Sequence, residues 1–386
     1  MYIILVFFTP LVFSGSTNEL YEFPKMIFVY FLGSTILFLF FLKVIVNNKK
    51  LRDLKKPNIF VITFLIANII STIFSTHLYT STWGYYSRFN GGLISILIFF
   101  GIYFVSINFL KTSQKRFLKK VIVLSLIPIC IYGLTQVGQE NRIYSTLGQP
   151  NWLAAFVVMG LPFVLEQLLE KGRRRLRVTY GFILALSIAC LWFTNSLSGL
   201  LGVFVVVVYL AIYFKRKIIN LYSLVLVLII IVITALNFSF IKQRISDALI
   251  ISTNPNSYQV SDPSLIRMGL WKGSLKLAFS TPKKFLIGTG LETFPYEYPS
   301  YRESILNYTS EWDFIMNKPH NYYLELLVET GVLGLISYLG IILSSLRIKN
   351  KLLVASLLGF YVTNLFGWPT VATSLLFWVF ISDTSQ

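Results

Sequence analysis

The stretch KPHNYYLELLVETGVLG, residues 318–334, carries the side chains best suited to chemistry. His320 is one of two histidines in the chain and stands at the mouth of a helix apolar enough to enter a bilayer. The positive end of a helix dipole disfavours imidazolium, and neutral imidazole is the form that can take a proton. The position therefore suits a general base, and it suits a histidine that merely caps the helix equally well. Pro319 fits the first turn of that helix. Asn321, Glu325 and Glu329 follow at four-residue intervals and share one helix face that leads inward from the surface. A carboxylate within a span is costly and usually faces the bundle interior or a wet cavity. The plain alternative is a structural pair hydrogen-bonded to neighbouring helices. Gly331 and Gly334 permit close helix packing.

Three arginines are expected on the same side as His320: Arg88 in YYSRFNGG, Arg142 in ENRIYSTLGQPNWLAAF and Arg267 in SLIRMGLW. If the bundle brings them together they form a site for a phosphate or pyrophosphate, because the guanidinium fork matches phosphoryl oxygens and stays charged. Taken singly, each is better explained by snorkelling or by pairing with a lipid headgroup. The sequence holds no Asp-x-Asp, no His/Cys cluster at metal-ligand spacing, no Walker A motif and no G-x-G-x-x-G. No cofactor and no metal are therefore expected, and the chemistry must use a donor reached from the membrane or from outside.

The elements that would position these residues are membrane spans. The chain has 386 residues, 55% of them hydrophobic and 13% charged, against about 25% charged in soluble domains. Mean hydropathy is +0.69. The formal net charge of +18 sits mostly in short clusters between apolar runs, at 47–56, 111–120, 170–177, 215–217 and 347–351. That is the positive-inside pattern, so the charge reads as topology and nucleic acid is not an expected partner. Apolar runs predict about twelve transmembrane helices, near 1–14, 23–46, 58–76, 91–110, 118–137, 152–169, 178–194, 198–214, 218–239, 321–346, 352–366 and 371–382. Each basic cluster then falls on the cytoplasmic side, with both termini. The opening MYIILVFFTPLVFSGS lacks a basic n-region and an A-x-A-like cleavage site, and reads as a retained short span. Cys130 and Cys190 lie inside apolar runs and do not read as disulfide partners or metal ligands.

The expected division is 1–239 as nine spans, 240–319 as a large extracytoplasmic loop and 320–386 as three further spans. Within the loop, residues 263–279 read as an amphipathic helix at the membrane surface. Leu265, Met268, Leu275 and Phe279 form its apolar stripe, Trp271 and Leu270 flank it, Pro263 starts it and Ser280-Thr281-Pro282 stops it.

These segments resemble the O-antigen ligase family. KPHNYYLELLVETGVLGL is similar to the family's His-Asn signature at the start of a late span. RIYSTLGQPNWLAAFVVMGLP resembles its Gly-x-Pro-Asn segment, and RMGLWKGSLKLAFSTPKKFLIGTGLETF its Arg-x-x-x-Trp helix and glycine turn. The resemblance runs from about residue 80 to 370. It implies an all-α polytopic bundle like that of class C glycosyltransferases, in the cytoplasmic (inner) membrane with its site facing outward. It implies transfer of a glycan from a polyprenyl-pyrophosphate carrier to an acceptor hydroxyl, on lipid A core or a similar lipid or glycan, without metal. O-antigen polymerases and protein O-oligosaccharyltransferases belong to the same family. His320 would be the base and Arg267 would bind the donor pyrophosphate, with Arg88 and Arg142 as further candidates and Asn321, Glu325, Glu329 and Trp271 in support. Many members carry Ser-Arg after the seventh span, where this chain has Leu197 in TNSLSGLLG. The competing class is a transporter or flippase of lipid-linked sugar, which commonly shows two related halves; no such halves are visible here.

Overall fold

The computed structural model describes residues 1–47, 53–170, 174–213 and 263–385. The expected ninth span, the first part of the outer loop and the basic cluster at 215–217 lie outside the described residues. The described chain is helical and has no strand, only one isolated bridge. Its helices in chain order are α1 (Tyr2–Phe8), α2 (Glu22–Val46), α3 (Ile59–Ile73), α4 (Leu78–Trp83), α5 (Leu93–Phe109), α6 (Thr112–Thr135), α7 (Pro150–Leu169), α8 (Arg174–Thr194) and α9 (Leu197–Tyr213). After the gap come α10 (Pro263–Ala278), α11 (Pro282–Ile287), α12 (Phe294–Glu297), α13 (Tyr322–Ser345), α14 (Lys351–Thr363) and α15 (Val371–Phe380). Every apolar run predicted within the described residues coincides with a helix. Among the described residues five helices are long and apolar enough to cross a membrane: α2, α6, α7, α8 and α13; the other apolar helices described are shorter.

The helices start where local chemistry caps them. The Asn58 side chain accepts from the Phe60 amide at α3, that of Asn350 from the Leu352 and Leu353 amides at α14, and that of Thr370 from the Thr373 amide at α15. Each satisfies amides that a helix start leaves open. The core is one continuous cluster in which α7, α14 and α15 are central. α13 packs along α3, α14 against α7 and α9, and α15 against α5. α8 is peripheral, with only 22% of its apolar window buried against 72% for α7, so its outward side chains suit lipid.

The outer segment folds on the end of α13. Ile266, Leu270 and Leu277 of α10 form a second core with Phe294, Tyr298 and Leu306, and with Leu327 and Val328 of α13. The stripe expected for α10 is mostly the face that stays outside this second core. Of its members only Leu265 is buried, while Met268, Leu275 and Phe279 are exposed. The helix has two apolar faces, and the packing on α13 uses the other one. The exposed set is a second apolar face that the described residues leave uncovered.

α13 is broken at Gly331, where φ is 67° and ψ −171°. The break releases carbonyls that a straight helix would use internally. Val328 O accepts from the Thr289 amide at 3.0 Å and Glu329 O from the Gly290 amide at 3.1 Å. Ser71 Oγ also donates to Glu329 O, at 2.5 Å. The Gly288–Gly290 turn thus docks on the kink, and a Cβ on Gly331 would meet the Leu286 carbonyl at 2.4 Å. Gly331 serves this docking rather than the helix–helix contact expected from the sequence. Gly334 remains inside the helix, facing Thr330.

Candidate functional site

α13 begins at Tyr322, and Asn321 is its cap, accepting from the Tyr323 and Leu324 amides at 3.0 and 3.1 Å. Pro319 therefore lies outside the helix, not in its first turn. Asn321 is committed to backbone and does not continue the polar face of the two glutamates. His320 adopts a left-handed conformation, φ 54°, which a non-glycine residue holds only when its surroundings enforce it. The enforcement is visible on both sides. Trp271 Nε1 of α10 donates to Pro319 O at 3.1 Å, and Tyr322 N donates to Asn364 O at 3.0 Å.

The imidazole lies against Trp368, ring centroids 5.1 Å apart, and Trp368 meets Trp152 edge-on at 5.8 Å. The Arg88 guanidinium sits over both indoles, 5.7 Å from Trp368 and 6.0 Å from Trp152. Arg267 sits 5.9 Å over Phe366, whose ring neighbours Trp271. Burial, and then the charges of Arg267 and Arg88, push the His320 pKa down to about 4. The imidazole is therefore neutral near pH 7, as the sequence suggested, through desolvation and arginine charge. Arg142 reaches the same neighbourhood from another side. Its Nε donates to Thr194 O at 2.8 Å and its Nη2 to Asn151 Oδ1 at 3.1 Å. Asn151, Trp152, Ser198, His320, Asn364 and Trp368 line one cleft.

Behind Trp368 lies a second, polar cavity of about 80 Å³, lined by Arg88, Glu292, Lys318, Glu325, Glu329 and Tyr338 among others. Glu325 and Glu329 do share a face, as their spacing required, and both are buried. Lys318 Nζ lies 2.6 Å from Glu292 and 2.6 Å from Glu325, with all three side chains buried. Burial opposes the ammonium, but the surrounding carboxylates outweigh it and hold the lysine pKa above its ordinary value. Glu292, Glu325 and Glu329 bring oxygens within 4.8 Å of one another, a grouping of the kind that takes a cation. Here the Lys318 ammonium takes the position between two of them. Glu329 Oε1 and the Tyr338 hydroxyl have no hydrogen-bond partner among the described residues. The cavity they face is polar and wide enough for a few waters.

Sequence reasoning missed Lys318, Glu292, Asn364 and Trp368. Lys318 stands directly before the Pro-His-Asn motif and ahead of a span with two acids, which is a usable signal for an internal counter-charge. Nothing local marks Glu292 or Trp368, because their partners lie far away in sequence. Asn364 is buried, and its Nδ2 has no acceptor among the described residues.

Residues 182–339 match the family model described as O-antigen ligase. That segment, less than half of the chain, is what is similar to the O-antigen ligase family. The match runs from α8 into α13 and so contains Arg267, Trp271, Glu292, Lys318 and His320, while Arg88, Arg142 and Trp368 are brought to that segment by the fold. No curated protein matches the chain.

Proposed function

We propose that this O-antigen ligase-like protein is a metal-independent glycosyltransferase. It moves a glycan from a polyprenyl-pyrophosphate carrier to an acceptor hydroxyl at the outer face of the cytoplasmic membrane. The observation that carries the reading is the placement of neutral His320 beside Arg267 and Arg88. Displacement at an anomeric carbon needs a base for the incoming hydroxyl and positive charge for the departing pyrophosphate. His320 takes the hydroxyl proton as the oxygen bonds to the anomeric carbon. The bond from that carbon to the pyrophosphate oxygen breaks, and its electron pair leaves on the diphosphate, which Arg267 and Arg88 hold.

Arg142 supplies a further guanidinium. It is bonded to Thr194, beside the turn where Leu197 replaces the arginine of many family members, and so offsets that replacement. Asn364 offers an amide donor to the same cleft. Trp271 and Asn321 act through the backbone that carries His320, and Lys318 with Glu292 and Glu325 locks that backbone to the outer segment.

The test is purified protein with a polyprenyl-pyrophosphate oligosaccharide, supplied alone and then with lipid A core, with products resolved on a gel. A ladder from donor alone identifies a polymerase, and a new band only with the core identifies a ligase. A serine-bearing acceptor protein in a third arm reports protein glycosylation. Wild type that forms no glycosidic bond in any arm, yet moves lipid-linked sugar across vesicles, would establish a flippase instead.

A further inference from the structure

A third cavity, polar and of about 480 Å³, opens at the opposite, basic end of the bundle. We infer that it binds the phosphate of an anionic phospholipid headgroup. It is lined by Lys115, Arg116, Lys119, Arg347 and Lys349. Two carboxylates also face it, and each is already paired: Lys119 lies 3.3 Å from Glu166, and Lys115 lies 2.5 Å from Asp383. Arg116, Arg347 and Lys349 are left as surplus positive charge.

The helix ends add to that charge. Asn58 caps α3, Thr112 opens α6 and Asn350 caps α14, and all three line the cavity. The positive ends of three helix dipoles therefore reach it, which favours an anion. Arg347 and Lys349 follow the C-terminus of α13, a place where the last carbonyls alone attract cations. That explanation does not extend to the opening turns of α6, where basic residues oppose the dipole: Lys115 and Lys119 have Asp383 and Glu166 there, and Arg116 is the charge left over. An anion in the cavity would balance it.

The lipid source is favoured by what borders the charges. Phe117, next to Arg116, is 50% exposed, and Leu343 and Leu346, just before Arg347, are 62% and 39% exposed. An anion site edged by uncovered apolar side chains fits a molecule with a phosphate head and acyl tails. Basic pockets between spans on the cytoplasmic side take such headgroups. This assignment uses none of the residues given roles in glycan transfer, so it stands or falls separately from that reading.

The experiment is native mass spectrometry of the detergent-purified full chain, titrated with phosphatidylglycerol or with phosphatidylcholine of the same acyl chains. The wild type is expected to bind one phosphatidylglycerol more tightly than any phosphatidylcholine, and to gain thermal stability from it. The R116Q/R347Q/K349Q variant should lose that preference, with binding about tenfold weaker or more. If the triple variant does not fold, each single variant must show a partial loss. Equal binding of the two lipids by the wild type, or unchanged binding by folded variants, overturns the site. Inorganic phosphate and ADP form a parallel arm; stabilisation by either, without any by phosphatidylglycerol, overturns the lipid assignment in favour of a soluble phosphate.

Discussion

In the proposed reaction His320 and Arg267 divide the work between proton and phosphate, and their variants test it. H320A is expected to lower the rate of transfer about 10²–10⁴-fold, the range for loss of a general base, while the protein still inserts and purifies. R267A should also abolish transfer, and R267K should restore little, since an ammonium lacks the planar fork. Full transfer by both alanine variants would remove the mechanism. The pH profile carries a sharper signature. With the pKa pushed down to about 4, kcat/KM should hold from neutrality and fall only as pH approaches about 4. Donor phosphates offset the arginine charges, so the acid limb of kcat should lie at higher pH than that of kcat/KM. Stability follows the same group. Between the ordinary histidine value of 6.5 and about 4 the unfolded chain binds a proton that the folded chain does not. The His320 contribution is therefore complete above that interval and declines as pH falls through it, which thermal melts of wild type against H320A would read. These two residues were legible because a rare imidazole and a few outer arginines stand out in an apolar chain. Trp368 was not, because one aromatic among many carries no mark until the fold sets it against His320.

At the scale of elements, the kink of α13 and the lysine clamp decide whether the site exists. G331A forces a side chain into a left-handed backbone and against the Leu286 carbonyl. A cost of about 1–3 kcal/mol is expected, seen as a lower Tm together with loss of the Gly288–Gly290 docking. An unchanged melting curve would show that the turn does not depend on that glycine. K318M leaves Glu292 and Glu325 buried without their counter-charge and should cost about 3–5 kcal/mol. Adding E292Q and E325Q should return part of it, which a comparison of melts would show. Helix positions were readable from apolar runs, and the start of α10 from Pro263. The face of α10 was not, because a helix with two apolar sides does not announce which one a distant helix will cover. The first turn of α13 was misplaced for a local reason. Pro319 suits a helix start, but the Asn321 side chain satisfies the Tyr323 and Leu324 amides and sets the boundary later.

For the whole molecule, the distribution of charge predicts orientation: the basic cavity on the cytoplasmic side and the His320 cleft outside. Cys130 and Cys190 are buried, so single cysteines introduced at exposed positions report cleanly. D313C is expected to react with an impermeant maleimide in intact cells, and S113C only after permeabilisation; the reverse pattern would invert the topology. The Lys318–Glu325 pair bears on how the chain reaches that arrangement at all. α13 is a costly segment to deliver to a bilayer, since it carries Glu325 in its first turn and Glu329 one turn further in, and a carboxylate disfavours insertion by up to about 2.5–3.5 kcal/mol at a span centre. Lys318 precedes Glu325 by seven residues and leaves the ribosome first, so the charge that neutralises this helix arrives with it during synthesis. A lysine that holds the segment before α13 in the finished protein would then also act as an insertion aid. The K318M defect should accordingly appear as lost membrane yield while the chain is being made, and E325Q in the same chain should recover it even if the product is inactive.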